Sequence, residues 1–237
     1  FGFNLPLSQQ YFFYLNDLSP FSVHSKNTDD FSYYDPNVYG GWKLFSNDYK
    51  VWIIKAPYLR TSYQNRGKPI TKILKETLPN TAILALSSMF IAIVLGVFFG
   101  IVATLNKDTW IDRFLQLIST LGMSVPSFFS AILFSWFFGY VLHDYTKLNM
   151  TGSLYELDDF GESYSIVWKN LILPSFVLGI RPLAVIIQLM RSNLLEVLSQ
   201  DYIRTAYSKG LSKYKVIFNH GLKNSLNPVI TAVSGWL

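Results

Sequence analysis

RSNLLEVLSQDYIRTAYSKGLSKYKVIFNHGLKNSLNP, running from Arg191 to Pro228, is a basic, helix-forming stretch set between two apolar runs. Its cations are Arg191, Arg204, Lys209, Lys213, Lys215 and Lys223, against only Glu196 and Asp201. A loop of that charge between membrane spans belongs on the cytoplasmic side. It is also long, since most connections between adjacent helices take only a few residues. Asp201–Lys209 is expected to form a short helix closed by Gly210, because glycine enters the left-handed conformation that ends a helix at little steric cost. Ser212 can cap a second helix reaching about Asn224, and Asn227-Pro228 marks the return to the membrane. A helix–glycine–helix unit across the inner face suits docking on a partner. An amphipathic helix resting on anionic headgroups is the plainer alternative.

The composition agrees with a lipid setting. Half of the 237 residues are hydrophobic and only 15% are charged, where soluble domains carry about 25%. No cysteine is present, which excludes disulfides, Cys-ligated metal centres and thiol catalysis. The net charge of +5 falls beside apolar runs, so a positive-inside bias explains it without nucleic acid. The chain begins at Phe1 and stops about ten residues into an apolar run, where a span needs about 20. It is therefore expected to be a fragment lacking membrane segments at both ends.

Outward from the loop, three spans are expected at about 78–105, 114–142 and 166–190, with a truncated fourth from 226. Leu78–Leu105 carries no charge, and Ser88, Ala92, Gly96, Gly100 and Thr104 recur every fourth position along it. Such a small-residue stripe lets another helix approach closely. Pro126 falls inside the second span, near Gly122, Ser124 and Ser127, and predicts a kink or break there. Pro174 and Arg181-Pro182 are expected to interrupt the third. Loop charge then sets the topology. The loop 143–165, with Asp144, Glu156, Asp158, Asp159 and Glu162 against Lys147, belongs outside; the turn 106–113 and the loop 191–225 belong inside. Residues 1–77 fall outside as a small mixed extracytoplasmic region, with a strand at Tyr49–Ile54 and a short amphipathic helix at Ile70–Thr77.

At the cytoplasmic loop the residues become specific. Arg204-Thr205-Ala206, three residues and Gly210 resemble the loop of ABC importer permeases whose general form is Glu-Ala-Ala, three residues, Gly. The longer run from Asp201 through Ser212 is similar to the version in dipeptide/oligopeptide permeases, as are His220-x-Leu-x-Asn and Asn227-Pro228. Arg191-Ser-x-Leu-Leu-Glu-Val-Leu, Leu121-Gly-x-Ser-x-Pro-Ser-Phe and Leu5-Pro6-Leu7 with Gln10-Tyr11 extend the resemblance over nearly the whole chain. It departs at Arg204 and Thr205, and in about 21–57, an apparent external insertion.

The resemblance implies an all-α polytopic permease of the type I kind in the bacterial cytoplasmic (inner) membrane, a translocation subunit rather than an enzyme. It implies two cytoplasmic ABC ATPase subunits, a second homologous permease subunit and an extracytoplasmic substrate-binding protein. The chain has no GxxxxGK[ST] phosphate loop, so ATP and Mg²⁺ are expected on the partner ATPase and no cofactor on this chain. Asp201, Tyr202, Arg204, Thr205, Ala206 and Gly210 would form the ATPase-coupling element. Arg181, Pro126 and Ser127 are the translocation-path candidates, because charge within a span is costly and faces protein or water. Arg181 could contact peptide carboxylates; a structural hydrogen-bonding role, or a span whose ends lie elsewhere, are its other readings. The rival function is an ion channel or secondary transporter with broken helices, whose basic loop only contacts lipid. His24, His143 and His220 show no metal-ligand spacing, and no nucleophile–base set is visible.

Overall fold

The computed structural model describes residues 4–65, 67–158, 161 and 163–236, in two compact units, Phe1–Pro79 and Asn80–Leu237. Asp159 and Glu162, counted in the charge reading above, lie outside the described residues.

The first unit opens with helix α1 (Leu7–Leu18), then β1 (Phe21–Ser25), the single turn α2 (Pro36–Tyr39), β2 (Trp42–Ser46) and β3 (Lys50–Ile54). The strands form an antiparallel sheet in the order β1-β3-β2. Alternation decides its faces: Ser22, His24, Val51 and Ile53 are buried, beneath Tyr34 and Tyr39. Phe21, Trp42 and Phe45 remain exposed. The Asn16 side chain both accepts from Val23 N–H and donates to Val23 C=O, each at 2.9 Å, and so occupies main-chain groups that β1 would otherwise leave unpaired.

Behind the sheet a polar centre forms on Asp17, which is buried at the end of α1. Arg60 Nε donates to Asp17 Oδ2 at 2.7 Å, and Lys55 Nζ donates to the Asp17 carbonyl. Burial, reinforced by the Asp17 charge, pushes the phenols of Tyr39 and Tyr58 up. Burial likewise pushes Lys55 down. His24 is also lowered, mainly by burial, with the Asp17 charge opposing the shift. A histidine held neutral in the fold takes up a proton more readily once unfolded. Its contribution is thus present above the ordinary pKa near 6.5 and is lost as pH falls below it. The thermal midpoint of the purified protein should therefore drop between pH 7.5 and 5.5. His24→Phe, which keeps a ring against Tyr39, should flatten that dependence; an unchanged slope would remove His24 as its origin.

Helix α3 (Ile70–Leu105) runs unbroken through Pro79, so the expected separate helix at Ile70–Thr77 is its first two turns. After a tight turn come α4 (Trp110–Ser124) and α5 (Ser127–Trp136), the latter continued by a π-helical turn at Phe137–Val141. The kink or break expected at Pro126, within the span at about 114–142, is a sharp bend between two helices. The α4 axis and the axis of Ser127–Val141 are bent by 111°, the geometry of a broken span or a re-entrant loop. Proline disfavours helical backbone in the residue before it, and Val125 is extended at φ −77° and ψ 131°.

Helix α6 (His143–Thr146) and the hairpin β4 (Tyr155–Leu157) with β5 (Tyr164–Ile166) give structure to what sequence presents as an acidic loop. Helix α7 (Lys169–Leu198) then passes through both Pro174 and Pro182 without interruption. That corrects the expected interruption of the third span, and the helix itself runs on past Met190. A buried stripe through Ile187, Met190 and Leu194, at helical spacing, carries the helix about two turns into the stretch assigned to the loop. Helices α8 (Asp201–Ser208), α9 (Lys213–Lys215), a π-helical turn at Val216–Leu222, α10 (Lys223–Ser225) and α11 (Asn227–Trp236) complete the chain. Ser212 occupies the N-cap position of α9, but its hydroxyl makes no capping bond. Helices α3 and α7 are long and apolar enough to cross a membrane, and the bent pair makes a third crossing if it counts as one span.

The small-residue stripe on α3 meets α7. Ser88, Ala92, Gly96, Gly100 and Thr104 are all buried, while Leu86, Phe90, Val94 and Phe98 on other faces are exposed. Small inside and large outside is the arrangement of a helix whose solvent is lipid. A Cβ on Gly96 would lie 2.7 Å from Ile186 Cγ2, and one on Gly100 would lie 2.5 Å from Met190 Cβ. Gly100→Val should force the two helices apart and destabilise the protein by about 1–3 kcal/mol. Gly235→Ala, whose Cβ meets nothing within 4 Å, is the control. Equal thermal midpoints in nanodiscs for the two variants would contradict this packing.

Candidate coupling surface and membrane groove

Helix α8 starts from extended backbone at Gln200, with Asp201 in its first turn, where a carboxylate complements the helix dipole. Ile203 and Ala206, three residues apart, are buried with Val216, and Leu198 and Leu211 pack around them. That face fixes α8 to the end of α7 and to the segment that follows. Its opposite face leaves Tyr202, Arg204, Thr205 and Tyr207 exposed. The Arg204–Asp201 pair, 3.5 Å apart and open to solvent, adds little stability.

The end of α8 follows the Schellman pattern. Gly210 has φ +79°; its N–H donates to Tyr207 C=O at 2.9 Å, and Leu211 N–H donates to Ala206 C=O at 3.3 Å. Leu211 then packs beside Ala206, the apolar contact that accompanies this cap. Ala206 is therefore part of the inner seam, and Gly210 turns the chain back over it. From the far side Asn224 Nδ2 donates to Tyr202 Oη at 3.0 Å.

An ion pair between buried Asp112 and half-buried Arg191 ties this region to α4. Arg191 Nε and Nη2 donate to Asp112 Oδ1 and Oδ2, each at 2.6 Å, while the same carboxylate accepts from Asp108 N–H and Gln116 Nε2 at 3.0 Å. Asp112 is 1% exposed. Sequence reading passed over this pair because its members stand 79 positions apart. The available signal was an acid in the first turn of a helix next to a membrane run.

The translocation-path candidates lie elsewhere. A groove of about 590 Å³ is walled by Ser88 of α3, Gly122 of α4, Ser127 and Ser130 of α5, Arg181 of α7 and Trp236 of α11, with apolar side chains between them. Ser127 and Arg181 thus border one space. Pro126 occupies the N-cap of α5 at the break beside it. Arg181 is exposed to the groove and has no hydrogen bond or ion pair among the described residues. The coupling-element residues gather on α8 and its cap, and none of them lines the groove.

Residues 96–234 match the family described as "Binding-protein-dependent transport system inner membrane component". The chain is 35% identical over 175 residues to the oligopeptide transport system permease protein AppB of Bacillus subtilis, covering 72% of this chain and 52% of that protein. It is 36% identical over 181 residues to the dipeptide transport system permease protein DppB of Alkalihalophilus pseudofirmus, with 70% and 54% covered. A putative peptide transport system permease protein of Brucella abortus is 37% identical over 172 residues, with 72% and 52% covered. The chain spans about half the length of the curated relatives it matches.

The ion pair sets a test of the assembly between α4 and α7. Removing one partner of a buried pair leaves the other uncompensated, at a cost of about 3–5 kcal/mol. Asp112→Ala should lower the thermal midpoint sharply, and adding Arg191→Leu should recover part of the loss. Additive losses in the double variant would show that the two side chains do not act together.

Proposed function

The chain belongs to the binding-protein-dependent transport system inner membrane component family, and from that premise we propose that it is the permease subunit of an ATP-driven ABC importer for dipeptides or oligopeptides. The observation that carries this reading is helix α8. It is a short helix clamped by one face to the end of a membrane helix, closed by a left-handed glycine, and bare on the other face. Tyr202, Arg204 and Thr205 would sit in a cleft of a cytoplasmic ATPase, with Asp201 at the helix start and Ala206 and Gly210 holding the shape. ATP and Mg²⁺ act on that partner. A second permease subunit completes the path, and an extracytoplasmic binding protein delivers the solute.

In this reading the turn at 106–113 and α8 face the cytoplasm, while the β4–β5 hairpin and the first unit face outside. The sheet within about 21–57 is an external addition that the binding protein or the second permease meets. Closure of the ATPase pair moves α8, and the buried seam passes that movement to α7. The break at Val125–Pro126 lets α5 shift relative to α4 as the groove beside Arg181 opens to one side and then the other.

The 237 residues contain no cysteine, so single cysteines placed at Tyr202 or Arg204 report their surroundings against that background. In the assembled importer both should crosslink to a cysteine in the ATPase cleft, and neither should react with an impermeant reagent added outside intact cells. Labelling from outside would overturn the topology. Failure of both positions to crosslink in an ATPase-bound complex would sink the coupling role.

A further inference from the structure

Arg181 is an unanswered charge. It lies twelve residues beyond the first residue of α7, about 18 Å along the helix axis, within a helix long and apolar enough to span a bilayer. Charge in a span is held by water, by an anion or by protein. Arg191, ten positions further along the same helix, shows how this chain satisfies such a group, with one carboxylate taking Nε and Nη2 together. Arg181 presents the same fork with no partner among the described residues.

Its surroundings select a ligand. Among the described residues no Asp or Glu lines the groove; its polar lining residues besides Arg181 are Ser88, Ser127 and Ser130, set among apolar ones such as Met89 and Val177. Its volume, about 590 Å³, falls in the range of small-molecule sites, about 300–1,000 Å³. A planar fork above apolar walls matches a carboxylate attached to a small organic body, because Arg grips carboxylates bidentately. We propose that Arg181 is the carboxylate-binding residue of a solute site in this groove, which takes the C-terminal carboxylate of a peptide in transit. This rests on the importer reading above.

The test uses the complete importer, reconstituted in liposomes with its ATPases and binding protein, the partner subunits being free of reactive cysteine. Arg181→Cys should slow uptake of alanyl-alanine at least about tenfold, the scale of a lost charge-assisted bond. Uptake of alanyl-alanine amide should change little between wild type and variant. Treating the variant with a thiosulfonate that adds ethylammonium should restore most of the alanyl-alanine rate, whereas an ethylsulfonate adduct should not. Wild-type rates in Arg181→Cys, equal rescue by both adducts, or an equal loss for the amide would each overturn the proposal. Equal loss for the amide would point to a lipid phosphate or a general packing role. If Arg181→Cys and Arg181→Lys both fail to assemble, Arg181 is paired inside the complex and the proposal falls. Absence of import of either peptide by the wild type would instead bring down the importer reading itself.

Discussion

The close approach of α3 to α7 is the constraint from which the second unit is built. Inside a bilayer, lipid tails are as apolar as leucine, so helices gain little by hiding apolar surface from one another. What remains is dispersion at short range and hydrogen bonds that lipid cannot supply. Both are present along this seam. Gly96 and Gly100 bring the backbone of α3 against Ile186 and Met190, and Gly179 returns the contact from α7, where a Cβ would sit 2.9 Å from the Ser88 carbonyl oxygen. Ser87 and Ser175 hydroxyls meet at 2.7 Å, and Thr104 donates to the Arg191 carbonyl at 3.4 Å. With α3 fixed, α7 becomes the post on which α4, α5, α10 and α11 pack.

The same post continues into the α8 region through packed side chains. Leu194 is fully buried, Leu198 packs against both the α7 cluster and the α8 cluster, and a Cβ on Gly221 would lie 3.1 Å from Leu194 Cδ1. The Asp112–Arg191 pair fixes the start of α4 to the same stretch of α7. A displacement of α8 therefore meets packed side chains and a bidentate ion pair, and closely packed interiors transmit strain instead of absorbing it. Gly210 contributes in a different way. Its Cβ position is open space, so what it supplies is the left-handed backbone at φ +79° that brings Leu211 back onto Ala206. A side chain there would strain the cap without clashing with anything.

Legibility in the sequence followed the range of the interactions. The stripe Ser88–Thr104 could be read because helical spacing is local, and α8 with its glycine cap could be read because a Schellman ending spans six residues. The break at Pro126 was visible as a disturbance, but its 111° bend depends on what α5 packs against. Asp112–Arg191 and Ser87–Ser175 were invisible, since they join residues 79 and 88 positions apart in an order that no local pattern encodes. The strand at Lys50–Ile54 showed in its β-branched composition, whereas its central place between β1 and β2 is a matter of pairing. The groove is the same kind of object: Ser127 and Arg181 could be named singly, but only the fold brings them to one space.

The prolines carry the point furthest. Pro79, Pro174, Pro182 and Pro126 each remove a backbone donor, and a proline inside a helix costs about 3 kcal/mol when nothing offsets it. Three of them are tolerated and one ends a helix. Around Pro182 the helix is held by Val177, Gly179, Ala184, Ile186 and Ile187, all buried, so leaving the helical path would forfeit the whole seam. Around Pro126 that restraint is missing: Ser130 is the one buried residue of α5, and Phe128 and Phe129 are exposed. At these two prolines the chain leaves the helix where tertiary packing is thin and keeps it where packing is dense, whereas Pro79 stays helical in an exposed stretch of α3. The continuous α7 and the bent pair α4–α5 consequently border the same groove, with Arg181 on the first and Ser127 on the second.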